Sequence, residues 1–119
     1  MFVFSLHGSE VGTFDAATSA NAYRQLLSQR PGRFDRRIDS LRQEAVYAGD
    51  WRQVALCDRA QGRDVGAGHP GSIDMGSVEY AESFTTEQAA DICAGVLLDA
   101  WARADGHSVD VVDVGAVRL

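Results

Sequence analysis

Apolar residues return along this chain at two different spacings, and each change of spacing marks an element. The longest run at three- and four-residue steps lies between Thr85 and Gly106, where Ala89, Ile92, Cys93, Val96, Leu97, Ala100, Trp101 and Ala104 share one stripe of a helix. Thr85 and Gln88 have the spacing of a capping box, and Gly106 is placed to supply a left-handed C-terminal cap. This segment is expected to be the core helix, with Leu98 nearly opposite the stripe and Glu87, Asp91, Asp99 and Asp105 off it.

The two-residue period appears first at the N-terminus, where Phe2, Phe4 and Leu6 alternate with Val3 and Ser5. Met1 to Leu6 and Val11 to Phe14 read as strands of a hairpin that turns through His7 to Glu10. A helix from Ala16 to Gln29 is expected after an Asp15 cap, with Ala16, Ala20, Tyr23 and Leu27 inward, and Pro31-Gly32 ends it. Phe34, Ile38, Leu41 and Ala45 then trace a second stripe after an Asp35 cap, stopped by Gly49. Asp50 and Gln53 open a third helix that runs to Gly62. Arg63 to Gly76 is glycine-rich loop, Ser77 to Phe84 alternates as a strand, and Val109 to Val114 is expected to form the last strand, with Asp110 and Asp113 on opposite faces. The expected order is ββαααβαβ, an α+β fold with a small antiparallel or mixed sheet and about four helices, in one domain over residues 1–119.

Charge divides this chain more sharply than hydrophobicity does. All eleven basic residues are arginine, and the net charge is −6. Residues 1–73 carry nine arginines against eight carboxylates, whereas residues 74–119 carry Arg103 and Arg118 against nine carboxylates. The overall sign speaks against direct nucleic-acid binding and for a basic partner. The N-terminal apolar run is too short for a signal peptide and no stretch reaches membrane-spanning length, so a cytoplasmic protein is expected. Cys57 and Cys93 read as free, partly buried thiols of a reducing compartment. With His7, His69 and His107 isolated and no paired cysteine motif, neither a metal nor a cofactor is expected.

Four groups of residues invite a chemical reading. Gly66 to Gly71 matches GxGxxG by letter, but it follows a helix and contains Pro70, which is the wrong context for a dinucleotide. His69, Ser72 and Asp74 crowd the same loop, so one alternative is a small enzyme using His69 or His7 as acid or base. Arg30, Arg33, Arg36, Arg37 and Arg42 form a basic cluster, the alternative nucleic-acid site, with Arg33, Arg36 and Arg37 as its centre; Asp35, Asp39 and Glu44 are spaced to neutralise it. The fourth group is an acidic strip: Glu87, Asp91, Leu98 and Asp105 point the same way within about 40° on the core helix, and Glu79 and Glu82 precede them.

Leu98 at the centre of that strip would be its desolvated anchor, or the contact of a homodimer. The segment YAGDWRQVALCDRAQG, Tyr47 to Gly62, resembles a stretch of uncharacterised proteins carried by phages and plasmids, which implies a mobile-element origin. The leading expectation is therefore a non-catalytic acidic protein that binds a basic protein surface. Its concrete form is an inhibitor of a host nuclease or CRISPR effector subunit, of anti-CRISPR or antirestriction type.

Overall fold

A computed structural model of the chain describes residues 2–6, 9–104 and 112–113. The chain opens with strands β1 (Phe2–Leu6) and β2 (Ser9–Phe14), paired antiparallel with Phe2 opposite Phe14 and Phe4 opposite Gly12. The register shifts between Phe4 and Ser5, a local irregularity of the kind that bends a strand. Gly12 is required by space: a Cβ there would stand 2.6 Å from the Phe14 ring and 3.3 Å from Leu26. Helices α1 (Ser19–Ser28), α2 (Arg33–Ala48), α3 (Trp51–Ala60), α4 (Met75–Glu82) and α5 (Thr86–Ala104) follow. A two-residue strand, β3 (Val112–Asp113), pairs antiparallel with β1, giving the sheet order β2-β1-β3.

The element order is thus ββαααααβ, and it corrects the expected ββαααβαβ and its four helices. The error lies at Ser77 to Phe84, which is helical because Asp74 caps it: one carboxylate oxygen accepts from Ser77 N at 3.0 Å and the other from Ser77 Oγ at 2.7 Å. Ser77 and Ala81, four residues apart, are its buried positions, a helical period that outweighs the alternation of Val78 and Tyr80. Smaller corrections fall at helix starts. Thr18 rather than Asp15 caps α1, accepting from Asn21 N at 3.1 Å, and Gly32 rather than Asp35 stands at the start of α2. The Asp50 cap of α3 and the reciprocal Thr85–Gln88 bonds of α5, at 2.9 and 3.1 Å, form as their spacing predicts. Residues 109–111 and 114 of the expected last strand, and the Gly106 cap, lie outside the described residues.

Helix α5 remains the central element, but it is buried differently from the expected single stripe. It packs on α3 with one side and on α1 with another. At 100° per residue, the buried Ala89, Cys93, Ala90, Ala94 and Leu98 sweep roughly 180° of its surface. Small side chains permit this double contact; a Cβ on Gly95 would come to 3.7 Å from that of Ala20 on α1. Two apolar clusters result. Ile38, Ala55, Leu56, Cys57, Ala81, Ala89 and Cys93 form one, and Phe4, Phe14, Ala22, Tyr23, Leu27 and Leu98 form the other, with Phe34 and Leu97 against both. Ala100, expected inward, is exposed.

Candidate anion-binding site

The site begins with a four-residue turn. Arg33 N donates to Arg30 O at 3.1 Å, and Gly32 between them has φ 76° and ψ −4°. Proline at the second position and a left-handed glycine at the third are the requirements of a type II turn. The turn holds Arg30 and Arg33 close together at its two ends. Arg36 and Arg37 then follow Arg33 by three and four residues, so the helical period returns them to the same face. Local sequence alone brings four guanidinium groups to one corner.

Around that corner lie three adjoining cavities. One of about 350 Å³ is lined by Arg30, Arg33, Arg36, Arg37 and Ser40. A second, of about 300 Å³, joins Arg30, Arg33 and Arg37 to Tyr23, Leu26 and Trp101. A third, of about 320 Å³, extends from Arg37 and Trp101 to Glu44, a carboxylate at its far end. Tyr23 stacks on Trp101 with ring centroids 5.6 Å apart and packs on Phe4 at 6.1 Å, so the aromatic wall is anchored in the core. Burial pushes the Tyr23 phenol up from its ordinary range, while the positive charges of Arg37 and Arg33 pull in the other direction.

The expected neutralisation of this cluster does not occur. The Asp39 carboxylate accepts instead from Gln61 at 2.8 Å and pairs with Arg63 at 3.8 Å. On α2 Asp35 and Asp39 lie about 200–240° around from Arg33, taking 100° per residue. Among the described residues, no side chain of Arg30, Arg33, Arg36 or Arg37 has an ion-pair or hydrogen-bond partner. Other arginines are engaged. Arg24 meets Asp91 at 3.4 Å, Arg59 donates to Phe84 O at 2.8 Å, and Arg52 lies 4.1 Å over the Tyr80 ring.

Arg42, the fifth member of the expected basic cluster, is turned away from it into a buried clasp. Its Nε donates to Asp58 Oδ1 at 2.8 Å and its Nη2 to Oδ2 at 3.4 Å, with the Asp58 side chain only 3% exposed. Gly66 N also donates to Asp58 Oδ2 at 3.1 Å, and Arg42 Nη1 reaches His69 Nε2 at 3.4 Å, while the His69 ring lies 5.6 Å from Trp51. Asp58 therefore pins the glycine-rich loop to α2 and α3. Nothing in the sequence singles out Asp58, because a carboxylate inside a helix carries no local mark of burial.

This arrangement separates the imagined triad. His69 is held in the clasp, whereas Asp74 is occupied in capping α4, where hydrogen bonds from Ser77 hold its carboxyl below the ordinary range. Ser72 N donates to His69 O and its side chain is exposed. His7 lies outside the described residues, and among those described no group of three or more His, Cys, Asp or Glu is placed to hold a metal.

The acidic strip is also corrected. Leu98 is 8% exposed and belongs to the cluster with Phe4 and Tyr23, so it is neither a partner anchor nor a dimer contact. Asp91 is half-buried and bonded to Asn21 at 3.2 Å as well as to Arg24. Glu79, Glu82 and Glu87 are exposed, the first two on α4 rather than on a strand, and Asp105 lies outside the described residues. Comparison with protein families, with curated proteins and with solved structures returns no match.

Proposed function

We propose that this protein binds the phosphate backbone of a nucleic acid through Arg30, Arg33, Arg36 and Arg37. The observation that carries this reading is that, among the described residues, their side chains have no ion-pair partner in a concave corner. An arginine keeps its charge at any physiological pH, so four adjacent ones repel each other until anions sit between them. Phosphate oxygens suit the guanidinium fork, and several linked phosphates satisfy four forks where one small anion cannot.

The overall charge of −6 does not decide against this. Glu87 and Trp101 stand at opposite ends of α5, about 21 Å apart at 1.5 Å per residue. That is more than two Debye lengths at physiological salt, about 8 Å each. Repulsion from the acidic end is therefore largely screened at the arginine corner. Binding would be independent of base sequence, because phosphate contacts position a protein without reading bases. A nucleic-acid ligand and two free thiols both suit the cytoplasm.

The test is retention of labelled single- and double-stranded oligonucleotides by the whole protein and by an Arg33→Glu/Arg37→Glu variant. Loss of retention in the variant supports the reading. Equal retention by both, or retention by neither at low salt, overturns it.

A second reading keeps the inhibitor of a host nucleic-acid-targeting system, with the exposed Glu79, Glu82 and Glu87 meeting a basic protein surface. Among the described residues these three have no ion-pair partner. The arginine corner would then compete for the host complex's nucleic acid while the acidic end docks.

A further inference from the structure

The α3–α5 interface holds a second chemical group, remote in kind from the arginine corner. Cys57 of α3 and Cys93 of α5 face each other in the core with no exposed surface. Gln53, one turn before Cys57, donates its Nε2 to Cys57 Sγ at 3.5 Å and to Cys93 Sγ at 3.5 Å. Two thiols and one amide thus form a closed triangle inside an otherwise apolar cluster. Sequence separation hides this set: only the packing of α3 on α5 brings residue 57 to residue 93.

We propose that Cys57 and Cys93 are a peroxide-oxidisable pair that closes to an intramolecular disulfide, with Cys57 as the attacking sulfur and Cys93 as the resolving one. Geometry selects the oxidant. Neither sulfur touches solvent, and neither lines any of the cavities around the arginine corner. Gln53 is only half-buried, and its amide sits directly over both sulfurs. Oxidation requires that side chain to swing aside. Hydrogen peroxide, close in size to water, needs the smallest such displacement, and a glutathione-type disulfide needs a far larger one.

The assignment of roles follows the hydrogen bonds. Cys57 receives bonds from the Cys93 thiol and then from Gln53, which together lower its pKa against the opposing effect of burial. Cys93 donates to Cys57 and is buried, and both effects raise it. The thiolate is the nucleophile in such oxidations. In the first step the Cys57 thiolate attacks one peroxide oxygen; an S–O bond forms, the O–O bond breaks, and the departing hydroxide takes a proton to become water. In the second the Cys93 sulfur attacks Cys57 sulfur and gives up its proton; the S–S bond forms, the S–O bond breaks, and a second water leaves. Two thiols are oxidised by two electrons and one peroxide is reduced to two waters.

The whole protein, treated with equimolar hydrogen peroxide, is expected to lose two hydrogen masses. A non-reducing peptide map should join the Cys57 and Cys93 peptides. The cross-link ties α3 to α5 and should raise the unfolding midpoint by about 10 °C. Cys93→Ser should stop at a sulfenic acid on Cys57 that dimedone labels, and Cys57→Ser should leave Cys93 unoxidised. Oligonucleotide retention should not change, since the pair touches none of the four arginines. Retention of both thiols by the wild-type protein under peroxide overturns the proposal, as does a mass gain of oxygen with no cross-link. Oxidation of Cys93 in Cys57→Ser at the wild-type rate overturns the assignment of roles. Should a serine variant fail to fold, the wild-type mass and peptide map decide alone.

Discussion

The two ends of helix α5 lie beside groups of opposite charge, and those groups differ in what accompanies them. At its C-terminal end Trp101 and Tyr23 form an aromatic wall beside four arginines, with open volume between them. At its N-terminal end Glu87, with Glu79 and Glu82 on α4, is exposed, and the apolar residue expected to serve this side, Leu98, is turned into the core. Charge alone places a partner poorly, since solvated side chains cost little to leave in water. A recognition surface needs shape and partly desolvated neighbours beside free charge, and the basic end has all three. The concavity of about 450 Å³ on the N-terminal half of α5, lined by Phe84, Ile92 and Asp91, has its carboxylate already bonded to Asn21 and Arg24.

The largest way to sharpen this contrast is Leu98→Ala. Loss of a buried leucine should cost about 2–5 kcal/mol in denaturant unfolding. An exposed docking residue would change stability by about 0.5 kcal/mol or less, and that result would place Leu98 on the surface at the centre of the acidic strip. Next comes Arg33→Glu/Arg37→Glu, expected to weaken oligonucleotide binding about 100-fold, roughly tenfold for each phosphate contact removed. Its circular dichroism should be unchanged, because both side chains lie outside the core.

Gly32→Ala is smaller but informative. A β-carbon at φ 76° costs about 1 kcal/mol, and it would stand 3.1 Å from Arg36 Nη1, so stability and the arrangement of the corner should suffer together. Thermal unfolding alongside oligonucleotide titration separates the two effects. Neutralising Glu79, Glu82 and Glu87 to glutamine is expected to do least: stability within about 0.5 kcal/mol and oligonucleotide affinity raised less than about threefold, given the screening across α5. A tenfold rise in affinity would mean that the two ends are not electrostatically separate.

What the sequence made legible was whatever depends on neighbours along the chain. The β1–β2 hairpin, the Asp50 and Thr85–Gln88 caps and the Pro31-Gly32 turn all rest on contacts within a few residues. Helix α4 was misread because eight residues fit either period, and its deciding feature was the Asp74 cap just before it. The outward placing of Leu98 assumed that α5 buries one stripe; alanines at 90 and 94 give no sign that they face a second helix.

The candidate site divides in the same way. Convergence of Arg30, Arg33, Arg36 and Arg37 was readable from spacing, but the freedom of these residues from Asp35 and Asp39 was not. For Asp39 it depends on Gln61 and Arg63 arriving from the end of α3 and the loop beyond it. The removal of Arg42 into the Asp58 clasp and the meeting of Cys57 with Cys93 are likewise tertiary events.

The central claim is that these four arginines displace counterions from a phosphate backbone, and its most direct measurement is the salt dependence of oligonucleotide affinity for the unaltered protein. Four contacts predict a slope of log affinity against log salt of about −3.6 on duplex DNA and about −2.8 on single strands. A slope near zero, or no binding even at about 10 mM salt where the Debye length reaches about 30 Å, would contradict it.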